Sequence, residues 1–143
     1  MGRQKGGETI DVAVGFAADR SGVGVAYAAF QREGRERLLR IPFRLKRSAA
    51  LQDREVGYAA LRAIADAVRS HEADAVRFVT GDESLVADLD ERRPLPAALI
   101  MPYVALRCAL NRFQHVSVVA GHDSPIDDLS ARANAEASLH IAA

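Results

Sequence analysis

Length, composition and charge place this chain among ordinary globular proteins. Its 143 residues, 49% apolar and 27% charged, suit one domain with one hydrophobic core. No apolar run approaches the roughly 20 residues of a membrane-spanning helix, and the basic N-terminus has no apolar stretch behind it as a secretory signal would. We therefore expect a flexible basic tail over residues 1–8, a single domain over residues 9–143 and a cytoplasmic location.

The N-terminal third of the chain has the pattern of three consecutive strands. Apolar residues alternate with small ones over residues 9–18, which is typical of a central strand. Turn residues separate this segment from predicted strands over residues 23–31 and 36–43. Pro42 cannot donate to a strand ladder, so the third strand is expected at a sheet edge. The short turns make the three strands an antiparallel meander.

The rest of the chain alternates between helices and strands. We predict a helix from Ser48 to about Ser70, a strand over residues 76–80, a short helix from Asp82 to about Leu89, a helix over residues 97–111, a strand over residues 115–120 and a helix from Ser124 to about His140. Strands that follow a helix most simply join a sheet in parallel by right-handed crossovers. The predicted fold class is therefore α/β in the order βββαβααβα. Its mixed five-stranded sheet combines the antiparallel meander with two parallel strands and has helices on both faces.

Two residues inside the predicted helices stand out. Gly57 lies within the first helix, where glycine costs about 1 kcal/mol relative to alanine, so its presence needs a reason. Cys108 is the single cysteine and lies among helix formers. We interpret it as a small core residue rather than a nucleophile.

The zero net charge of the chain hides an uneven distribution. Residues 1–47 carry ten Lys or Arg and five Asp or Glu, whereas residues 48–143 carry nine and fourteen. Seven of the basic residues fall between Arg32 and Arg47, where only two glutamates oppose them. This segment is a candidate surface for an anionic partner. The alternative is a hairpin whose charges are merely solvated.

The order of elements and four local motifs resemble the ribonuclease H (RNase H) family. These motifs are the glycine-containing start of the second strand (22–27, GVGVAY), an Ala-rich helix segment (57–61, GYAAL), a strand with an acidic turn (77–86, RFVTGDESLV) and the last strand with its histidine loop and helix start (118–131). The resemblance spans roughly residues 9–140 and implies the RNase H fold. It also implies hydrolysis of RNA in an RNA–DNA hybrid by two Mg²⁺ or Mn²⁺ ions, which four carboxylates hold.

Carried over position by position, the resemblance provides only half of that carboxylate set. It implies Asp82 and Asp127 as metal-binding catalytic residues and His122 as the histidine that assists proton transfer or product release. The other two family carboxylates correspond to Gly15 and Gly57, which have no side-chain ligand. Three acids near these glycines are not placed to replace them: Asp11, Asp19 and Glu55.

The three candidate site residues also have structural interpretations. Asp82 can cap the helix that follows it. Asp127 stands at capping-box spacing from Ser124, and its charge suits the positive end of a helix. His122 can be an ordinary loop histidine.

Three functions remain as hypotheses. The first is an RNase H-like domain that is catalytically impaired or inactive and acts as a nucleic-acid-binding or assembly module, with Arg44, Lys46 and Arg47 contacting the phosphates of an RNA–DNA hybrid. The second is an active Mg- or Mn-dependent ribonuclease H with a rearranged site, so whether the chain is an enzyme stays open. The third is a structural domain that forms a homo-oligomer through the apolar face of its last helix, which comprises Ile126, Leu129, Ala133 and Ala137.

Overall fold

The chain folds into the predicted mixed α/β sheet. This computed structural model describes residues 9–45, 52–71, 73–92 and 94–142, without the side chains of residues 52, 53 and 140–142. The elements within them are β1 (Ile10–Ala18), β2 (Val23–Arg32), β3 (Arg35–Arg44), α1 (Gln52–Arg69), β4 (Ala75–Thr80), α2 (Glu83–Leu89), α3 (Ile100–Leu110), β5 (His115–Ala120) and α4 (Ser124–Ala142). The predicted tail over residues 1–8 and the predicted helix cap Ser48 lie outside the described residues.

The strand order is β3-β2-β1-β4-β5, which confirms β1 as a central strand and β3 as an edge strand. β1, β2 and β3 pair antiparallel, whereas β4 joins β1 and β5 joins β4 in parallel. The β1–β2 turn is held by Asp19, whose Oδ1 accepts hydrogen bonds from the backbone N–H of Ser21 at 2.8 Å and of Val23 at 3.1 Å. The β2–β3 turn places Glu33 and Gly34 at positive φ, which suits a tight hairpin.

One face of the sheet packs against α1, α2 and α3 and forms the larger part of the core. Side chains spaced three or four residues apart on α1 are buried there: Tyr58, Leu61, Ile64 and Val68. The strands contribute alternate residues to the same cluster, including Val12 and Val14 from β1 and Phe78 from β4. This face will be called the α1 face.

The opposite face of the sheet is covered by α4, which packs over β1 and β2. This face will be called the α4 face. Leu129, Ala133 and Ala137 are buried there against Val25, Tyr27 and Ala17 of the sheet, and Ile126 is also buried. The predicted dimerisation surface is therefore wrong, because its apolar stripe covers the chain's own sheet. A stripe of that kind looks the same in the sequence whether it meets the same chain or another one.

The prediction that Cys108 is a core residue is also wrong, because its side chain is exposed. Leu106, Ala109 and Leu110 form the inner face of α3, and Cys108 lies on the outer face with Met101 and other exposed apolar residues. Since α3 is apolar nearly all round, its periodicity does not identify the buried side. Despite this character, none of the described helices is long and apolar enough to cross a membrane.

Candidate active site

Asp82 follows β4 and caps α2. Its Oδ1 accepts a hydrogen bond of 3.1 Å from the backbone N–H of Leu85, and its own N–H donates to Thr80 Oγ1 at 3.1 Å. The predicted capping role is thus present in the structure. Capping occupies one carboxylate oxygen and fixes the direction of the other, Oδ2, which lies towards α1.

Gly57 lies directly opposite this carboxylate. A Cβ added at Gly57 would be 3.0 Å from Asp82 Oδ2 and 3.5 Å from Leu85 Cδ2. Any side chain at this position would therefore begin beside the Asp82 carboxylate. A glutamate here would bring a second carboxylate to Asp82, whereas glycine provides none.

Gly15 lies on the other face of the sheet. A Cβ added there would be 2.5 Å from the carbonyl carbon of Leu129 and closer still to the amide nitrogen of Ser130. The missing side chain of Gly15 thus lets the backbone of α4 approach β1, and it does not border the Asp82 carboxylate. The structure places Gly57 beside Asp82 and places Gly15 apart from both.

The β1 residues on the same face as Gly57 are apolar. Side chains alternate along a strand, so Val14 and Phe16 lie on the α1 face when Gly15 lies on the α4 face. Val14 is the register partner of Thr80, two residues before Asp82. The first strand therefore directs no carboxylate from these positions towards Asp82.

The first turn of α4 reaches the end of β4 from the other side. Ile126 Cγ2 lies 3.6 Å from the position that a Cβ of Gly81 would occupy. Asp82 follows Gly81 and Asp127 follows Ile126, so the two aspartates flank this contact. Asp127 is exposed, and its N–H donates to the carbonyl of Asp123 at 3.1 Å. The cap position of α4 is therefore Asp123, one residue before the predicted Ser124, which already belongs to the helix.

His122 contacts Glu83, an acid that is not among the predicted site residues. Its Nε2 lies 2.7 Å from Glu83 Oε2, and both side chains are exposed. The contact ties the β5–α4 loop to the first turn of α2, next to Asp82. The available signal in the sequence was adjacency, because Glu83 follows Asp82 directly and stands in the first turn of a helix.

The acids near the missing positions are engaged elsewhere or lie apart. Asp11 accepts hydrogen bonds of 2.9 and 2.8 Å from Arg77, and these bonds raise the pKa of the Arg77 guanidinium above its ordinary value. Asp19 holds the β1–β2 turn, and Glu55 is buried on α1. Among the described residues, no group of three or more His, Cys, Asp or Glu side chains is close enough to hold a metal ion.

The predicted phosphate contacts fall only partly within the described residues. Arg44 is exposed at the end of β3, whereas Lys46 and Arg47 lie outside the described residues. Arg44 is the register partner of Val23. By alternation from Val25, which packs against α4, both residues lie on the α4 face, opposite to the face that carries Gly57.

Comparison with solved structures supports the fold. No protein-family model and no curated protein matches the chain. The structure of RNase H1 from Halobacterium salinarum NRC-1 matches with a TM-score of 0.71 at 16% identity, over 91% of this chain and 97% of that one. The N-terminal RNase H domain of rv2228c from Mycobacterium tuberculosis matches with a TM-score of 0.67 at 12% identity, over 88% and 95% of the two chains.

A third structure was determined with nucleic acid. LC11-RNase H1, in complex with an RNA/DNA hybrid, matches with a TM-score of 0.61 at 12% identity, over 90% of this chain and 98% of that one. At these identities the likeness concerns the fold, and it extends over nearly the whole length of both chains in each comparison. The chain has an RNase H-like α/β fold.

Proposed function

We propose that this chain is an RNase H-like domain with an incomplete two-metal site, which is catalytically impaired or inactive and acts as a nucleic-acid-binding or assembly module. The observation that carries the proposal is the pair formed by Gly57 and Asp82. A side chain at position 57 would meet Asp82 Oδ2 at 3.0 Å, and the chain has no side chain there.

Charge balance supports the proposal. Two divalent cations carry four positive charges, and bound phosphate offsets only part of them, so such a site needs several carboxylates close together. Asp82 and Asp127 flank one contact, but Val14 and Phe16 are the β1 residues on the face of Gly57. Two carboxylates, one of which also caps a helix, make a poor donor set for two ions.

Nucleic-acid binding is the activity that we propose to remain. A related fold binds an RNA/DNA hybrid in LC11-RNase H1. In this chain Arg44 is exposed, and Lys46 and Arg47 follow it closely in the sequence. Contacts from such residues to phosphates require no metal ion and no particular base sequence.

The deciding experiment is a cleavage and binding assay on an RNA–DNA hybrid with Mg²⁺ or Mn²⁺. Wild type and Asp82→Asn are expected to bind the hybrid and to show equal, background cleavage. Hybrid cleavage by wild type that disappears in Asp82→Asn would instead establish the second hypothesis, an active ribonuclease H with a rearranged site. Absence of hybrid binding by both proteins would leave only the assembly role.

A structural homo-oligomer is a further candidate, supported by the outer face of α3. Ile100, Met101 and Val104 are 47%, 75% and 46% exposed, and such exposed apolar patches often mark interfaces. Sedimentation velocity over a range of concentrations tests it. Val104→Lys should abolish any self-association, whereas Leu38→Lys, which changes an exposed apolar residue on β3, should leave it unchanged.

A further inference from the structure

The two edge strands of the sheet differ in how they are protected against pairing with another strand. β3 carries four arginines, its first two residues Arg35 and Glu36 are exposed, and it contains Pro42. Charges and proline are the usual means by which proteins block an edge. β5 (HVSVVA) has no Asp, Glu, Lys, Arg or Pro, and the described residues place no strand on its outer side.

The ladder to β4 identifies which backbone groups of β5 are open. Gly121 N–H donates to the carbonyl of Thr80 at 2.9 Å, and Ala120 is the register partner of Thr80. In a parallel ladder the residues that bond inwards alternate with those that bond outwards. Val116, Val118 and Ala120 therefore direct their N–H and C=O groups away from β4, where another backbone can pair with them.

A cleft of about 570 Å³ runs along this edge. Five consecutive residues of β5, 116–120, line it. Because side chains alternate between the two faces of a sheet, a cleft bordered by consecutive residues follows the edge of the strand rather than one face. Its other wall comes from α2 and α3 and from the residues just after α2: Val86, Leu89, Asp90, Arg92, Arg107 and Leu110.

The charges of that wall favour an acidic ligand. Arg92 and Asp90 are both more than half exposed and 3.5 Å apart, which makes a weak ion pair. Arg107 donates to the carbonyl of Leu89 and to Tyr103 Oη, and neither of these acceptors is a carboxylate. Two guanidinium groups thus face one carboxylate along the cleft.

We propose that this cleft binds an extended polypeptide segment of a partner protein, which adds a sixth strand at the outer edge of β5. Backbone hydrogen bonds to Val116, Val118 and Ala120 would hold the segment, as in other cases of strand addition. Alternate apolar side chains of the segment would lie against Val86 and Leu110, and an acidic side chain would pair with Arg92. The proposal is independent of the metal-binding residues and of hybrid binding.

The test uses fluorescence anisotropy of a labelled, terminally blocked octapeptide of four Val-Glu repeats with the full chain. Saturable binding with a Kd below about 1 mM is expected. A peptide of four Val-Lys repeats should bind more weakly, and Arg92→Gln should weaken binding of the Val-Glu peptide about fivefold. Absence of saturable binding at millimolar protein would overturn the proposal.

Three controls separate backbone pairing from nonspecific adhesion. The Val-Glu peptide with alternate amides N-methylated cannot pair with a strand edge, so its binding should be lost, and unchanged binding would contradict strand addition. Ala120→Pro removes one outward N–H of β5 without touching the ladder to β4 and should weaken binding about fivefold. Leu38→Lys, on the other edge strand, should bind like wild type.

Self-association that Ala120→Pro abolishes would identify a second copy as the added strand and overturn the assignment to a partner protein.

Discussion

At the scale of single residues, Gly15 and Gly57 are glycines for different physical reasons. At Gly15 the backbone of α4 occupies the space that a side chain would need. At Gly57 the nearest atom is the end of a side chain, Asp82 Oδ2 at 3.0 Å, which needs to shift by only a few tenths of an ångström. Packing therefore requires glycine at position 15, whereas at position 57 it does not.

Substitution by alanine should separate the two glycines. Gly15→Ala should lower the free energy of unfolding by about 1–3 kcal/mol, because α4 must move away from β1. Gly57→Ala should raise it by up to about 1 kcal/mol, because alanine is the better helix former inside α1. Urea denaturation measures both changes. A loss at Gly57 as large as that at Gly15 would show that position 57 is also fixed by packing.

Restoring a carboxylate at position 57 tests the missing part of the metal site. Gly57→Glu extends a carboxylate along Asp82 Oδ2, so its Mn²⁺ affinity should exceed that of the uncharged, equally large Gly57→Gln by about tenfold. Isothermal titration calorimetry of Mn²⁺ with both variants gives the comparison. Equal affinities would mean that position 57 does not belong to a metal site with Asp82.

At the scale of elements, α2 is fixed to α1 by a buried carboxylate. Asp88 accepts a hydrogen bond of 2.7 Å from Arg54 Nη2 and another of 2.7 Å from Tyr58 Oη, and its side chain is 1% exposed. Asp82 caps the same helix, so this contact links the helix that Asp82 begins to the helix that carries Gly57. The surface pair of Asp11 and Arg77 links β1 to β4 but is half exposed on both sides.

The two ion pairs should therefore respond differently to loss of the acid. Asp88→Asn leaves the Arg54 charge without its buried partner and should lower the free energy of unfolding by about 3 kcal/mol. Asp11→Asn should leave the thermal midpoint nearly unchanged, because water solvates both groups of that pair. Differential scanning calorimetry checks both. Similar midpoints for the two variants would contradict a buried role for Asp88.

The sequence predicted the element types and the positions of the central and edge strands, but it did not predict which surfaces the faces of α3 and α4 contact. Alternation over β1 and the missing N–H of Pro42 were sufficient to identify a central and an edge strand. The face of α3 that holds Cys108 was misassigned, because α3 is apolar nearly all round. The apolar stripe of α4, which includes Ala133, was assigned to a dimer interface. A single sequence does not show whether such a stripe packs against the sheet of its own chain or against a partner.

At the scale of the whole molecule, the structure brings only one of the two predicted glycine positions to Asp82. The motif after Gly57 fixed its register on α1, and the structure places that glycine beside Asp82. The register of β1 rested on a glycine turn, and in a strand a difference of one residue moves a side chain to the other face. In the structure Gly15 lies against α4, and its neighbour Phe16 lies on the α1 face. Contacts such as that of His122 with Glu83 depend on how loops meet and had no periodic signal.

The uneven charge of the molecule leads to a prediction about salt. If Arg44, Lys46 and Arg47 contact three phosphates, hybrid affinity should fall about 40-fold between 50 and 200 mM salt, since each contact releases condensed counterions. Arg44→Gln should reduce the slope of log affinity against log salt by about 1. Arg62→Gln removes the same charge from the exposed face of α1 and should leave the slope unchanged. Anisotropy titrations at several salt concentrations provide the slopes. Equal slopes for Arg44→Gln and Arg62→Gln would assign the salt effect to overall charge rather than to a phosphate contact at the end of β3.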